Sequence, residues 1–183
     1  MLDIVFPHNN EKELAEMALS FGYDEVWLAY DEKQLPKDRF VFKGLKIKIA
    51  VVNPKNPAKA RRSSDVLLAD KDARHYLEKT DADIVFSLEA KATKDFMKQR
   101  NSGLNQVLCV IAAKRGKTYG LNFRDILFAR NRADIIGRMM QNMMLCRKYK
   151  VRIIFFSGAK EPLEMRNWRD LKSLFELIGR ANA

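Results

Sequence analysis

Hydrophobic positions along this chain follow two alternating patterns. Short, nearly unbroken apolar runs recur at LDIVF (2–6), EVWLAY (25–30), LKIKIAVV (45–52), VLLA (66–69), DIVFSLE (83–89), TYGLNF (118–123) and RIIFFSG (152–158). Each has the length and β-branched or aromatic content of a strand buried on both faces. Between them the apolar spacing changes to the helical period. In EKELAEMALSFG (11–22), Leu14, Met17, Ala18 and Phe21 share one helical face, Asn9 or Asn10 stands ready to cap, and Gly22 ends the run. Further helices are predicted at 70–80, 104–116, within 132–150, and in the amphipathic LEMRNWRDLKSLFELIG (163–179).

Apolar strands alternating with helices predict an α/β fold with a parallel sheet covered by helices. Seven such strands point to a TIM-type (β/α) barrel, one strand short of the full eight. The stretch NPKNPAKARRSSD (53–65) reads as a basic loop broken by Pro54 and Pro57. No repeat and no second hydrophobic unit is visible, so 1–183 is expected to form one domain. In RADIIGRMMQNMMLCRKYK (132–150), Ile136, Met139, Met140 and Met143 define a packing face, and Arg138, Gln141, Asn142 and Lys148 an outer one.

Composition narrows the class. The chain is 47% hydrophobic and 31% charged, the balance of a globular protein. Its apolar runs are far short of the roughly 20 residues that cross a bilayer, and the first residues, MLDIVFPHNN, lack the features of a signal peptide. Cys109 and Cys146 lie in apolar helical segments without zinc-type spacing, which suits a reduced, cytoplasmic protein.

Charge changes the picture more. The net charge is +11, but residues 100–150 alone carry eleven Lys or Arg against Asp125 and Asp134, and 43–62 carries seven against none. The remainder is acidic, at −5. Such segregation suits a polyanion ligand better than a generally solubilising surface, in which the signs intersperse.

Catalytic constellations are sparse. The predicted C-terminal strand ends present Pro7-His8-Asn9, Tyr30-Asp31, Asn53, Asp70, Glu89, Asn122 to Arg124 and Ser157 to Lys160. With two histidines in the chain and no HxH or HExxH, a multi-imidazole metal site is excluded. A Mg²⁺ site from Asp31, Asp70 and Glu89 competes with ordinary helix capping. No phosphate-binding glycine motif is present, and Ser157-Gly158-Ala159 reads as a strand-to-helix turn. The run Arg100-Asn-Ser-Gly-Leu-Asn105 is unusual in placing so many polar groups ahead of VLCVIAA. A helix starting near Leu104, capped by Ser102, would offer free N–H groups to an anion, with Arg100 as a charged arm. A simple capped turn accounts for Ser102 and Gly103 equally well. Lys114-Arg115 and Lys117 complement the far end of the same helix, and Arg124 follows the sixth strand.

The segments RNSGLN (100–105) with the following Val107-Leu108-Cys109, FRDIL (123–127), MMQNMMLCRKYKV (139–151) and SGA (157–159) resemble, in this order, protein component 3 of ribonuclease P. This is the thirty-kilodalton subunit type of archaea and eukaryotes. The resemblance implies a TIM-type barrel related to metal-dependent phosphoesterases but lacking their metal ligands. It implies a subunit of an endoribonuclease that assists a catalytic RNA in removing the 5′ leader of precursor tRNA. The implied partners are ribonuclease P RNA, another small protein subunit and precursor tRNA. No cofactor is implied on the chain, and Mg²⁺ is required by the RNA. Gln106 stands where the family often has His, and an amide cannot transfer a proton there. The candidate RNA contacts are Arg61, Arg62, Arg100, Asn101, Ser102, Asn105, Lys114, Arg115, Arg124, Arg132, Arg138 and Lys160. Two alternatives remain: a protein-docking scaffold with little RNA contact, and a divergent metal-dependent phosphoesterase.

Overall fold

The computed structural model describes residues 1–36, 38–91 and 94–180. Residues 37, 92–93 and 181–183, which belong to the expected single domain, lie outside the described ones. Seven strands form one sheet: β1 (Leu2–Val5), β2 (Glu25–Asp31), β3 (Lys46–Val52), β4 (Val66–Ala69), β5 (Ile84–Phe86), β6 (Thr118–Asn122) and β7 (Arg152–Phe156). They pair in sequence order, every neighbour parallel. Among the described residues an α-helix lies in every connection except that from β2 to β3, which carries only a short 3₁₀ turn at Glu32–Gln34. The helices are α1 (Glu11–Ser20), α2 (Pro57–Ser63), α3 (Ala73–Lys79), α4 (Gln106–Lys114), α5 (Phe123–Leu127), α6 (Arg132–Lys148) and α7 (Trp168–Arg180).

The unbroken apolar runs follow from burial of both strand faces. Ile4, Ala29, Ala50, Leu68, Phe86 and Phe156 point into the barrel and pack on one another. The alternating set, including Val5, Leu28, Val85 and Leu121, packs outward under the helices. The seam between β1 and β7 closes just past the strand ends. Gly158 N–H donates to the Ile4 carbonyl at 3.1 Å and Phe6 N–H to the Ala159 carbonyl at 2.8 Å. One step earlier a side chain does the joining. Asp3, fully buried, accepts from Ser157 N–H and Ser157 Oγ, both at 2.6 Å, and from Ile4 N–H at 2.9 Å. Burial pushes its carboxyl up to about 6, restrained by the Ser157 hydrogen bonds.

Three local expectations are corrected. The basic loop at 53–65 contains helix α2: Pro57 occupies its first turn, where a missing N–H costs nothing, and Asn56 accepts from Lys59 N–H. Proline here starts the helix instead of breaking it. Asn10 precedes α1 without capping it through its side chain; it accepts from His8 N–H and donates to the Lys160 carbonyl, tying two loops together. In α6 the inward stripe is Ile135, Arg138, Met139, Asn142, Met143 and Cys146, so Arg138 and Asn142 lie inside. Two polar residues within the stripe hid its true phase, because a buried polar group that has partners is indistinguishable in sequence from an exposed one.

Candidate nucleic-acid interface

The polar run 100–105 folds as a loop fastened to α6. Gly103 adopts φ +80°, and a Cβ there would lie 2.6 Å from Leu88 Cβ, so only glycine lets the loop press on the turn after β5. Leu104 is then buried, and the helix begins two residues later than expected. Its cap is Asn105, whose Oδ1 accepts from Leu108 N–H at 3.0 Å. Ser102 is therefore not the cap. It is buried, with its hydroxyl against Gln141 Nε2 at 2.7 Å and its carbonyl accepting from Asn142 Nδ2 at 2.8 Å.

Arg100 is held by carboxylates, not extended as a free arm. Its guanidinium pairs with Asp95 at 2.9 Å and Asp134 at 3.4 Å and lies on Gly137, where a Cβ would come within 2.5 Å of Nε. Arg138, only 3% exposed, donates to Asp95 at 2.7 Å and to the Glu89 carbonyl at 3.1 Å. Burial opposes ionisation of Asp95, yet the Asn101 N–H and the two guanidiniums hold its carboxyl below the ordinary carboxylate range. Asp95 is the hub that sequence reasoning missed. Its only signal was an acid five residues ahead of Arg100. Asn101 turns its amide to the Lys94 carbonyl. Beneath the loop, Asn142 Nδ2 also reaches Glu89 Oε1 at 2.9 Å and the Tyr119 hydroxyl at 3.0 Å. Burial pushes the Glu89 carboxyl up to about 7.

The remaining candidates separate to the two ends of the barrel. At the C-terminal end a cavity of about 310 Å³ is lined by His8, Asp31, Asn53, Asp70, Lys71, Lys91, Asn122, Arg124, Asp125 and Lys160, among others. Most strand-end residues read from the sequence thus converge; Glu89 instead turns into the core. An adjoining cleft of about 740 Å³ shares Arg124 and Asp125 and continues along Phe128, Arg130 and Asn131. Arg124 pairs with Glu164 and lies over the 60% exposed Phe128 ring at 4.2 Å. Arg132, exposed at the start of α6, donates to the Leu127 carbonyl. Sequence reasoning missed Phe128, since a single Phe after FRDIL looks like core. Asp125, half-buried where these cavities adjoin, is pushed up to about 6 by burial.

At the N-terminal end, Arg61 forks onto Asp83 at 2.8 and 3.0 Å, just before β5 begins. Arg115 donates to the carbonyls of Leu77 and Glu78 at the end of α3. Lys114 and Arg62 are exposed on α4 and α2.

The sequence pattern of the family described as RNase P subunit p30 matches residues 6–182. The chain belongs to that family. Ribonuclease P protein component 3 of Methanosarcina barkeri is 29% identical over 190 residues, covering 93% of this chain and 75% of the relative. The protein of the same name from Methanococcus maripaludis strain C7 is 28% identical over 157 residues, covering 81% of this chain and 63% of its own. Among solved structures, a chain of archaeal ribonuclease P with mature tRNA superposes with a TM-score of 0.78 at 19% identity, covering 97% of this chain and 82% of that one. Histidinol phosphate phosphatase from Lactococcus lactis, solved with zinc, L-histidinol and phosphate, superposes at 0.66 with 13% identity, covering 98% and 93%. The p30 chain therefore shares a barrel with a phosphatase. At its barrel mouth Asp70 is engaged by Asn53 and by Lys91 at 2.8 Å and His8 Nδ1 faces the Phe6 carbonyl; among the described residues no three His, Cys, Asp or Glu side chains group as metal ligands. Nor is any described helix long and apolar enough to cross a membrane.

Proposed function

We propose that this chain is an RNA-binding protein subunit of ribonuclease P, assisting the catalytic RNA in removing the 5′ leader of precursor tRNA. The observation that carries this reading is the family match, which runs through 6–182 and includes the RNSGLN loop and its supports on α6. The net charge of +11 and its segregation into blocks support a polyanion partner. The partners are ribonuclease P RNA, a second small protein subunit and, in the holoenzyme, precursor tRNA. Mg²⁺ belongs to the RNA, and no catalytic group is assigned to this chain. A cytoplasmic location accords with that role.

The candidate contacts divide by geometry. We assign phosphate contacts to Arg132 and Lys160 on the C-terminal face, to Arg62 and Lys114 on helix surfaces, and to Arg124, which lines both C-terminal cavities and would have to exchange its Glu164 pair for a phosphate. Ser102 and Arg138, being buried, act by holding the 100–105 loop, and Arg100 does so through its carboxylate pairs. Asn101 and Asn105 serve the loop and the helix start. Phe96 and Met97, 58% and 99% exposed beside this loop, support a protein partner at the same edge.

The test is binding of the full chain to the ribonuclease P RNA of its own organism across a salt series, with duplex DNA as the control. The expected result is RNA-selective binding whose log–log salt slope becomes shallower by about 0.7 to 0.9 in Arg124→Ala, one phosphate contact. Equal binding to DNA, or no binding, would overturn the reading.

A further inference from the structure

The inward face of a barrel is ordinarily apolar along its whole length, and the N-terminal end serves stability. Here that end is open and charged, with Lys48, Arg115, Lys117 and Arg152 set among Glu25, Asp65 and Asp83. Lys48 shares the inward face of β3 with Ala50 and Val52, and Arg152 shares that of β7 with Ile154 and Phe156. Register places Arg152 opposite Thr118, so Lys117 lies one residue away, just before the neighbouring strand β6 begins. With Arg115 these side chains line a cavity of about 610 Å³, floored in part by Trp27, over whose ring the Lys48 ammonium sits at 5.1 Å. Residues from two separate basic stretches, 43–62 and 114–117, thus meet around one opening.

The acids there are already engaged. Glu25 takes Lys48 at 2.8 Å and Lys46 at 3.1 Å. Asp65 takes Arg39 and the Ile49 N–H, and Asp83 takes Arg61 and the Leu67 N–H. Among the described residues Lys117 and Arg152 have no hydrogen-bonding or ion-pair partner for their side chains. Burial, and then the charge of Arg115, holds the Lys117 ammonium below its ordinary range, against the opposing pull of Asp81 and Asp83. An anion in the cavity would relieve both.

We propose that the N-terminal end of the barrel is a second RNA site, in which Arg152, Lys117 and Lys48 receive backbone phosphates at a place separate from the C-terminal face. A single inorganic phosphate would leave most of the cavity empty, whereas a stretch of phosphodiester backbone spans several cations at once. The site rests on the RNA-binding reading above and extends it to residues outside its candidate contacts.

The experiment uses the full chain and the same ribonuclease P RNA in a salt series, comparing wild type, Lys117→Ala/Arg152→Ala, the conservative pair Lys117→Arg/Arg152→Lys, and the double alanine variant combined with Arg124→Ala. Thermal melts confirm folding of each. The expected result is a salt slope shallower by about 1.4 to 1.8 for the alanine pair, retained by the conservative pair, and a further additive drop when Arg124 is also removed. Wild-type binding that the alanine pair matches in affinity and slope would overturn this site alone. Loss of binding to the partner protein with RNA binding intact would overturn it in favour of an acidic protein segment. No RNA binding by wild type would overturn the subunit reading, and this site with it.

Discussion

Glu89 and Asn142 are both fully buried, joined through Glu89 Oε1 and Asn142 Nδ2, and among the described residues Glu89 Oε2 and Asn142 Oδ1 are left without a partner. Two acceptor oxygens on a bonded acid–amide pair call for one proton. Burial pushes the Glu89 carboxyl up to about 7, against the hydrogen bonds from Asn142 and Tyr119, and so favours the protonated, neutral form. The folded state then holds a proton between about pH 4.5 and 7 that the unfolded chain has released, so stability falls as pH rises through that window, by up to about 3 kcal/mol. Glu89→Gln keeps the shape of the side chain and an acceptor for Asn142 Nδ2, with no titrating group. Urea unfolding at pH 5 and pH 8 should show a smaller loss at the higher pH for Glu89→Gln than for wild type. Glu89→Ala should lose about 2 to 4 kcal/mol at pH 5 and clearly less at pH 8, where wild type has itself lost the stability that protonated Glu89 supplies. Equal pH dependence in wild type and Glu89→Gln would refute a protonated Glu89.

Helix α4 raises the question of which residue starts it. Ser102 has the right residue type and lies beside a glycine, but its side chain belongs to α6 through Gln141. Asn105 makes the capping bond. Asn105→Ala should therefore cost about 1 kcal/mol in thermal unfolding and accelerate hydrogen exchange at the Leu108 amide. Ser102→Ala should leave Leu108 exchange unchanged. The opposite pattern would return the cap to Ser102. The difference was not readable locally: both residues are good caps, and what separates them is the contact of Gly103 with Leu88, made across fifteen residues. Helix α6 is similar. Its length and period are evident from 132–150, while its phase depends on Arg138 and Asn142 finding partners on β5's following turn and the 100–105 loop.

For the whole molecule, closure matters most. A seven-stranded sheet leaves two edges unless β1 meets β7, and Asp3 joins them with a carboxylate where a backbone ladder would otherwise run. Asp3→Asn retains an acceptor for the Ser157 and Ile4 amides and supplies a donor to Ser157 Oγ, so the seam should survive. Asp3→Ala removes every one of these bonds. It should unprotect the Ser157 amide in hydrogen exchange and lower Tm by roughly 4 to 8 °C, corresponding to about 2 kcal/mol. Unchanged Ser157 protection in Asp3→Ala would show that the seam closes without the carboxylate.

All seven strands, the parallel architecture and the main helices follow from the chain itself, because period and run length report burial of one face or two, a property each segment carries locally. The segregation of charge is likewise written in the sequence. The tertiary structure decided where those charges went. It sent Arg61 and Arg115 to one end of the barrel and Arg124 and Lys160 to the other, buried Arg138, and tied Arg100 to Asp95. An ion pair or a buried cation depends on which side chains meet across strands and helices distant in sequence, and residue type alone does not encode that meeting.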